Sequence, residues 1–76
     1  MTIQSYLVYP ETGRGPAVVE SLRSLTGCSE IIPAENRELL VLVTETATND
    51  DQKALEANLE SLDGVACLAM VGGWSE

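Results

Sequence analysis

The chain has 76 residues, enough for one domain (residues 1–76) with a small hydrophobic core. Twelve Asp and Glu against four Lys and Arg give a net charge of −8. This balance argues against nucleic acids and anionic membranes as partners, since both attract cationic proteins. It would attract a cationic partner, although a carboxylate excess also serves simply to keep a small domain in solution.

The beginning of the chain predicts a strand and a helix. Residues 2–9 are rich in β-branched, aromatic and aliphatic side chains, and residues 10–15 interrupt them with turn residues. Pro16 suits the first position of a helix, where its missing N–H costs nothing. The apolar stripe of this helix consists of Val18, Val19, Leu22 and Leu25. Gly27 stands where a left-handed residue would close the helix.

The middle of the chain predicts two strands joined by a hairpin. Cys28–Pro33 forms a short strand, and its proline indicates an edge strand or the end of one. Residues 34–37 supply the hairpin connection. Residues 39–44 read Leu-Leu-Val-Leu-Val-Thr, a run too short and too rich in β-branched residues for a helix. We therefore predict a central strand there.

A second helix and a last strand complete the chain. Asn49 offers an N-cap, with Gln52 as its capping-box partner, and Gly64 closes the helix. Its buried stripe consists of Leu55, Leu59 and Leu62. The carboxylates on its other side are typical of a solvated face, and the alternative is an acidic rim for a basic peptide. Residues 65–71 predict the last strand, followed by a tail at residues 72–76.

An internal repeat supports this order of elements. Residues 22–27 and residues 59–64 share the pattern L-x-S-L-x-G, which places a helix end and a glycine before a strand in each half. The order β-α-β-β-α-β built from two similar halves predicts an α+β, ferredoxin-like fold. Right-handed crossovers give a four-stranded antiparallel sheet of order 4-1-3-2 with both helices on one face. The other face of the sheet is left uncovered.

Catalytic and metal-binding residue types are scarce. The sequence has no histidine and no C-x-x-C motif, so we predict no enzyme, no metal site and no cofactor. Gly13-Arg14-Gly15 lies where acylphosphatases, which share the predicted fold, keep a phosphate-binding arginine, but the wider signature of that family is missing. We interpret these residues as a plain turn.

The cysteines and the first residues bear on the compartment. Cys28 and Cys67 are far apart in the chain and lie in apolar contexts, which indicates buried free thiols more than a disulfide. Residues 1–9 contain no basic region followed by a continuous apolar stretch, so we predict no signal peptide. No 18-residue apolar run is present, so we predict no membrane span. The expected location is the cytoplasm.

The uncovered sheet face is the predicted binding surface, because contiguous exposed apolar surface marks interaction sites. We assign inward positions to Tyr6, Val8, Leu39, Val41, Val43, Leu68 and Met70. The outward, peptide-binding positions are then Ser5, Leu7, Leu40, Leu42, Thr44, Cys67, Ala69 and Val71. A slip of one residue would exchange the faces within a strand. The surface suits an amphipathic helix or the sheet of a second copy in a homodimer.

Short patterns over nearly the whole chain resemble the NapD family of assembly chaperones. They lie at residues 5–8 (Ser-Tyr-Leu-Val), 25–28, 38–43, 62–65 and 68–71. The resemblance implies a cytoplasmic, ferredoxin-like protein that binds the twin-arginine signal peptide of the periplasmic nitrate reductase catalytic subunit. Such proteins hold back export until the molybdenum cofactor is inserted. The peptide would lie as a helix on the open face, and Gly72-Gly73-Trp74 departs from the family's more polar tail.

Two other classes of function stay open for this sequence. Small-molecule-sensing regulatory modules share the predicted fold, form dimers and bind effectors between subunits. An acyl phosphatase would depend on Arg14 in the first loop. The first alternative predicts stabilisation by amino acids, and the second predicts turnover of an acyl phosphate that is lost when Arg14 is replaced.

Overall fold

The computed structural model describes residues 1–35 and 37–75, with residues 74 and 75 described by their backbone alone. The elements are β1 (Thr2–Pro10), α1 (Gly15–Arg23), β2 (Cys28–Pro33), β3 (Leu40–Thr46), α2 (Asn49–Glu60) and β4 (Val65–Ser75). The strands form one antiparallel sheet of order β2-β3-β1-β4, which confirms the predicted ferredoxin-like topology. Position 36 of the predicted hairpin and position 76 of the predicted tail lie outside the described residues.

Both helices pack on the same face of the sheet. The fully buried apolar side chains are Tyr6, Val8, Val18, Leu22, Leu40, Leu42, Leu55 and Leu59. Half of this cluster comes from β1 and β3 and half from the two helices, so it is one core between a sheet and a helical layer. Among the described residues, no helix has the length and apolar character needed to cross a membrane.

The two glycines of the repeat hold the positions that the sequence predicts. Gly27 has a φ of 102° and Gly64 a φ of 90°, in the left-handed region that favours glycine. A Cβ at Gly27 would also lie 3.0 Å from Cδ2 of Leu55. Each glycine therefore turns the chain from a helix into an outer strand, Gly27 into β2 and Gly64 into β4.

The start of α2 differs from the predicted one by one residue. Thr48 is the N-cap, with extended backbone, and its side-chain oxygen accepts a hydrogen bond of 3.1 Å from the backbone N–H of Asp51. Asn49 is already helical. Gln52 is buried and points into the core, so it does not form the predicted capping box.

The predicted tail is largely strand. β4 continues to residue 75 because Gly72 pairs with Ser5 and Gly73 pairs with Gln4 of β1. A Cβ at Gly73 would collide with the backbone carbonyl of Ile3, so the close approach of the two strands requires glycine there. The composition Gly-Gly favours a loop locally, and pairing with β1 overrides that preference.

Candidate functional site

The strand registers determine which side chains face the helices. Tyr6 lies opposite Leu42 in the β1–β3 pair. Val8 lies opposite Leu40 in the same pair, and all four are buried. Leu40, Leu42 and Thr44 were predicted to face outward, but they are 4%, 0% and 0% exposed and belong to the helix-covered face. That part of the predicted site is wrong.

The error has a physical reason. Residues 39–43 are apolar at every position, so no alternation of polar and apolar residues indicates which half is buried. Val41 and Val43, predicted to be core residues, are half-buried, and their partners in β1 are Leu7 and Ser5. They lie on the open face because antiparallel partners share a face.

The structure places four of the predicted site residues on the open face. Ser5 and Leu7 face it from β1, where the inward and outward sides were assigned correctly. Ala69 lies opposite Leu7, and Cys67 lies opposite Tyr9, so both share that face. Val71 falls at the register shift between β1 and β4, so alternation does not fix its direction.

β4 also differs from the prediction on its inward side. Leu68 lies opposite Val8 and packs against the core, as predicted. Met70 lies opposite Tyr6 but is 63% exposed, so it is not a core residue. Val71 is equally exposed, at 63%.

One row of apolar side chains crosses the whole open face. Ile32 pairs with Val41, Val41 with Leu7, and Leu7 with Ala69. This apolar row, made of Ile32, Val41, Leu7 and Ala69, takes one residue from each strand. Tyr9 and Cys67 continue it toward one end of the face, and both are exposed. No element among the described residues packs over the row.

The opposite end of the open face is acidic. Glu30 lies beside Val43, and Glu45 lies beside Ile3, so both carboxylates belong to the open face. Both residues are exposed. We call Glu30 and Glu45 the acidic end. The four basic residues all lie in helices or loops: Arg14, Arg23, Arg37 and Lys53. The described strands therefore carry acidic side chains and no basic side chain.

A buried polar network lies between α2 and the helix-covered face of the sheet. Tyr6 donates a hydrogen bond of 3.0 Å to Glu56 and accepts one of 2.6 Å from Nε2 of Gln52. Oε1 of Gln52 accepts hydrogen bonds from the hydroxyls of Thr44 (3.3 Å) and Thr46 (3.1 Å). Burial, together with the Glu56 carboxylate, raises the pKa of Tyr6 to about 12. The network fixes α2 on β1 and β3. Sequence reasoning missed it because Gln52 resembles a capping residue.

Two groups in the loop before α1 are paired with carboxylates from elsewhere in the chain. The backbone N–H of Gly13 donates to Oε2 of Glu38 at 3.0 Å. Arg14 forms an ion pair of 2.9 Å with Asp63. The two groups that an acylphosphatase-like loop would offer to a phosphate are thus already paired with carboxylates.

The two cysteines lie at opposite edges of the sheet, in β2 and β4. Both are free. Cys28 is half-buried against the core, and burial raises the pKa of its thiol. Cys67 is exposed on the open face, so the prediction that it is buried is wrong.

The described residues contain no group of three or more His, Cys, Asp or Glu side chains placed to hold a metal ion. No protein-family model matches this chain, and no curated protein matches its sequence. The resemblance to the NapD family therefore stays a prediction from the sequence patterns.

Proposed function

We propose that this chain is a cytoplasmic chaperone that binds the twin-arginine signal peptide of an exported molybdoenzyme, such as the nitrate reductase catalytic subunit, on the open face. One observation carries the proposal. The apolar row and the acidic end lie side by side on one uncovered surface. A twin-arginine signal peptide is also bipartite, with a cationic segment followed by an apolar one.

The dimensions of the face fit a single helix. Four strands span three intervals of about 4.8 Å each, or about 14 Å. An α-helix with its side chains is about 10–12 Å in diameter, so one helix would cover the sheet and two would not. Ser5 and Gly72, which pair across β1 and β4, are small and would let the helix approach the backbone.

The arrangement of charge also gives the peptide a direction. The arginines would lie against Glu30 and Glu45, and the apolar segment would run toward Leu7 and Tyr9. Burial of the apolar row supplies most of the affinity in this arrangement, since the hydrophobic effect scales with apolar area removed from water. The exposed carboxylates contribute less and select the cationic segment.

Calorimetric titration of the chain with a synthetic twin-arginine signal peptide tests this proposal. We expect binding that weakens when both peptide arginines are replaced by glutamine. Glu30→Gln and Glu45→Gln should each weaken binding by about 1.5- to 5-fold, the range of an exposed ion pair. Glu60→Gln is the matched control, because it removes the same charge from exposed α2 on the helical side.

A second set of variants separates the apolar contribution from the charge. Val41→Thr keeps the shape of a half-buried open-face residue and replaces one methyl group by a hydroxyl. It should weaken binding of the same peptide, and this loss of affinity should persist in high salt. The loss of affinity caused by Glu30→Gln should become smaller in high salt. The proposal fails if no twin-arginine peptide binds, or if Glu60→Gln weakens binding as much as Glu30→Gln. Stabilisation by free amino acids without peptide binding would favour the regulatory module.

A further inference from the structure

The outer edge of β4 is long and carries no charge. β4 spans 11 residues and is the last strand of the sheet, so among the described residues no strand pairs with its outer side. Residues 64–75 form the longest stretch of the sequence without a charged side chain. An edge of this kind presents unpaired backbone N–H and C=O groups to any strand that approaches.

The other edge of the sheet is protected. β2 has 6 residues, includes the charged Glu30 and ends at Pro33, which has no backbone N–H to donate. These are devices that prevent edge-to-edge pairing, and the Val65–Ser75 edge has no charge and no proline.

Charge and exposure together point to one occupant for the β4 edge. Two copies of a chain with a net charge of −8 repel each other over most of their surfaces, and an uncharged edge is the place where they can approach. Met70 and Val71 lie in this strand and are each 63% exposed, more than any other large apolar side chain that the structure describes. A second copy would bring the same uncharged, apolar edge.

We propose that two copies of this chain pair antiparallel through β4 and form one eight-stranded sheet. The strand order becomes β2-β3-β1-β4-β4-β1-β3-β2. The contact is isologous, because the same strand serves both partners. Backbone hydrogen bonds supply the contact, and Met70 and Val71 lose exposure in it. This inference does not depend on what binds the open face.

The geometry of such a pair determines where the open faces lie. Identical antiparallel neighbours in a sheet are related by a two-fold axis perpendicular to the sheet. Such an axis maps each face onto the same face, so all four helices lie on one side. The two open faces then join along Ala69 and Cys67 into one surface of double width. Each copy keeps its own apolar row and acidic end.

Sedimentation equilibrium of the wild-type chain and of two variants tests the proposal. The wild type should sediment as a dimer that dissociates on dilution. Val71→Lys should raise the dissociation constant about tenfold or more, since an edge lysine blocks strand pairing. Ile32→Lys is the matched control: it makes the same charge change at a residue that is 50% exposed, but in β2. It should leave the dimer intact.

The opposite results overturn the proposal. A wild-type chain that is monomeric over its whole soluble range would leave the edge to an extended segment of another protein. A dimer that resists both Val71→Lys and Met70→Lys would use another surface. Circular dichroism of each variant excludes unfolding as the cause of dissociation. Titration with the signal peptide keeps the two proposals apart, because Val71→Lys should retain binding per chain while Ile32→Lys weakens it.

Discussion

The two faces of the sheet carry similar aliphatic side chains, yet they meet different surroundings. Leu42 and Leu40 lie under the helices and are 0% and 4% exposed. Val41 and Leu7 lie on the other side, half-buried by their neighbours within the sheet, and no element of residues 1–35 and 37–75 covers them. The covered face also contains a fully satisfied polar network, whereas the open face ends in two exposed carboxylates. Residues on the first face stabilise the fold, and residues on the second are available for binding.

Truncation of two neighbouring residues in β3 should give the largest difference in stability between the two faces. Leu42→Ala should lower the free energy of unfolding by about 2–5 kcal/mol, because it leaves a cavity in a packed core. Val41→Ala should cost about 1 kcal/mol or less, since the open face is not sealed. Urea denaturation of both variants measures the difference. Equal losses would contradict the observed inward and outward sides of β3.

Removal of the Tyr6 hydroxyl should test how much the buried polar network stabilises the covered face. Tyr6→Phe leaves Nε2 of the buried Gln52 without the acceptor that it contacts at 2.6 Å. We expect a loss of about 1–3 kcal/mol, the cost of a buried unsatisfied polar group. Tyr9→Phe is the control on the open face, where the ring is 38% exposed and the change should stay within about 0.5 kcal/mol. If Tyr6→Phe left the free energy of unfolding unchanged, water would have to take the place of the lost hydroxyl.

Alkaline pH should gradually reduce the difference in stability between the wild type and Tyr6→Phe. The pKa of Tyr6 is raised from 10.0 to about 12, so above pH 10 the unfolded chain releases this proton before the folded chain does. Stability from this group is complete below pH 10 and is lost as the pH rises through about 12, by up to about 3 kcal/mol. The stability gap between the wild type and Tyr6→Phe should narrow over this interval. A gap that stays constant in urea titrations at increasing pH would place the phenol outside the network.

Much of the fold could be predicted because its signals are local. Apolar stripes at helical spacing placed both helices, and the glycines of the L-x-S-L-x-G repeat placed the turns into β2 and β4. Boundaries were less certain where neighbouring residues compete for the same role. Thr48 and Asn49 are both good N-caps, and only the backbone path into α2 selects Thr48. Gly72 and Gly73 favour a loop by composition, but β1 offers them strand partners.

The candidate site could be predicted only in part. In β1 the predicted inward side (Tyr6 and Val8) and outward side (Leu7) are correct, although a slip of one residue would have exchanged them. In β3 both alternatives put aliphatic residues inside, so the sequence contains no preference between them. The acidic end was missed for a different reason. Glu30 and Glu45 share one end of the open face only because β2 pairs with β3 and β3 pairs with β1.

By itself the sequence determined the order of elements, the α+β ferredoxin-like topology, the acidic charge and the existence of an uncovered sheet face. These follow from periodicity, turn residues and composition, which act over a few residues at a time. Tertiary structure alone decided which half of β3 is buried, how far β4 extends, and that Gln52 holds Tyr6 rather than capping a helix. Those outcomes depend on strand register and helix packing, in which residues distant in sequence compete for the same core.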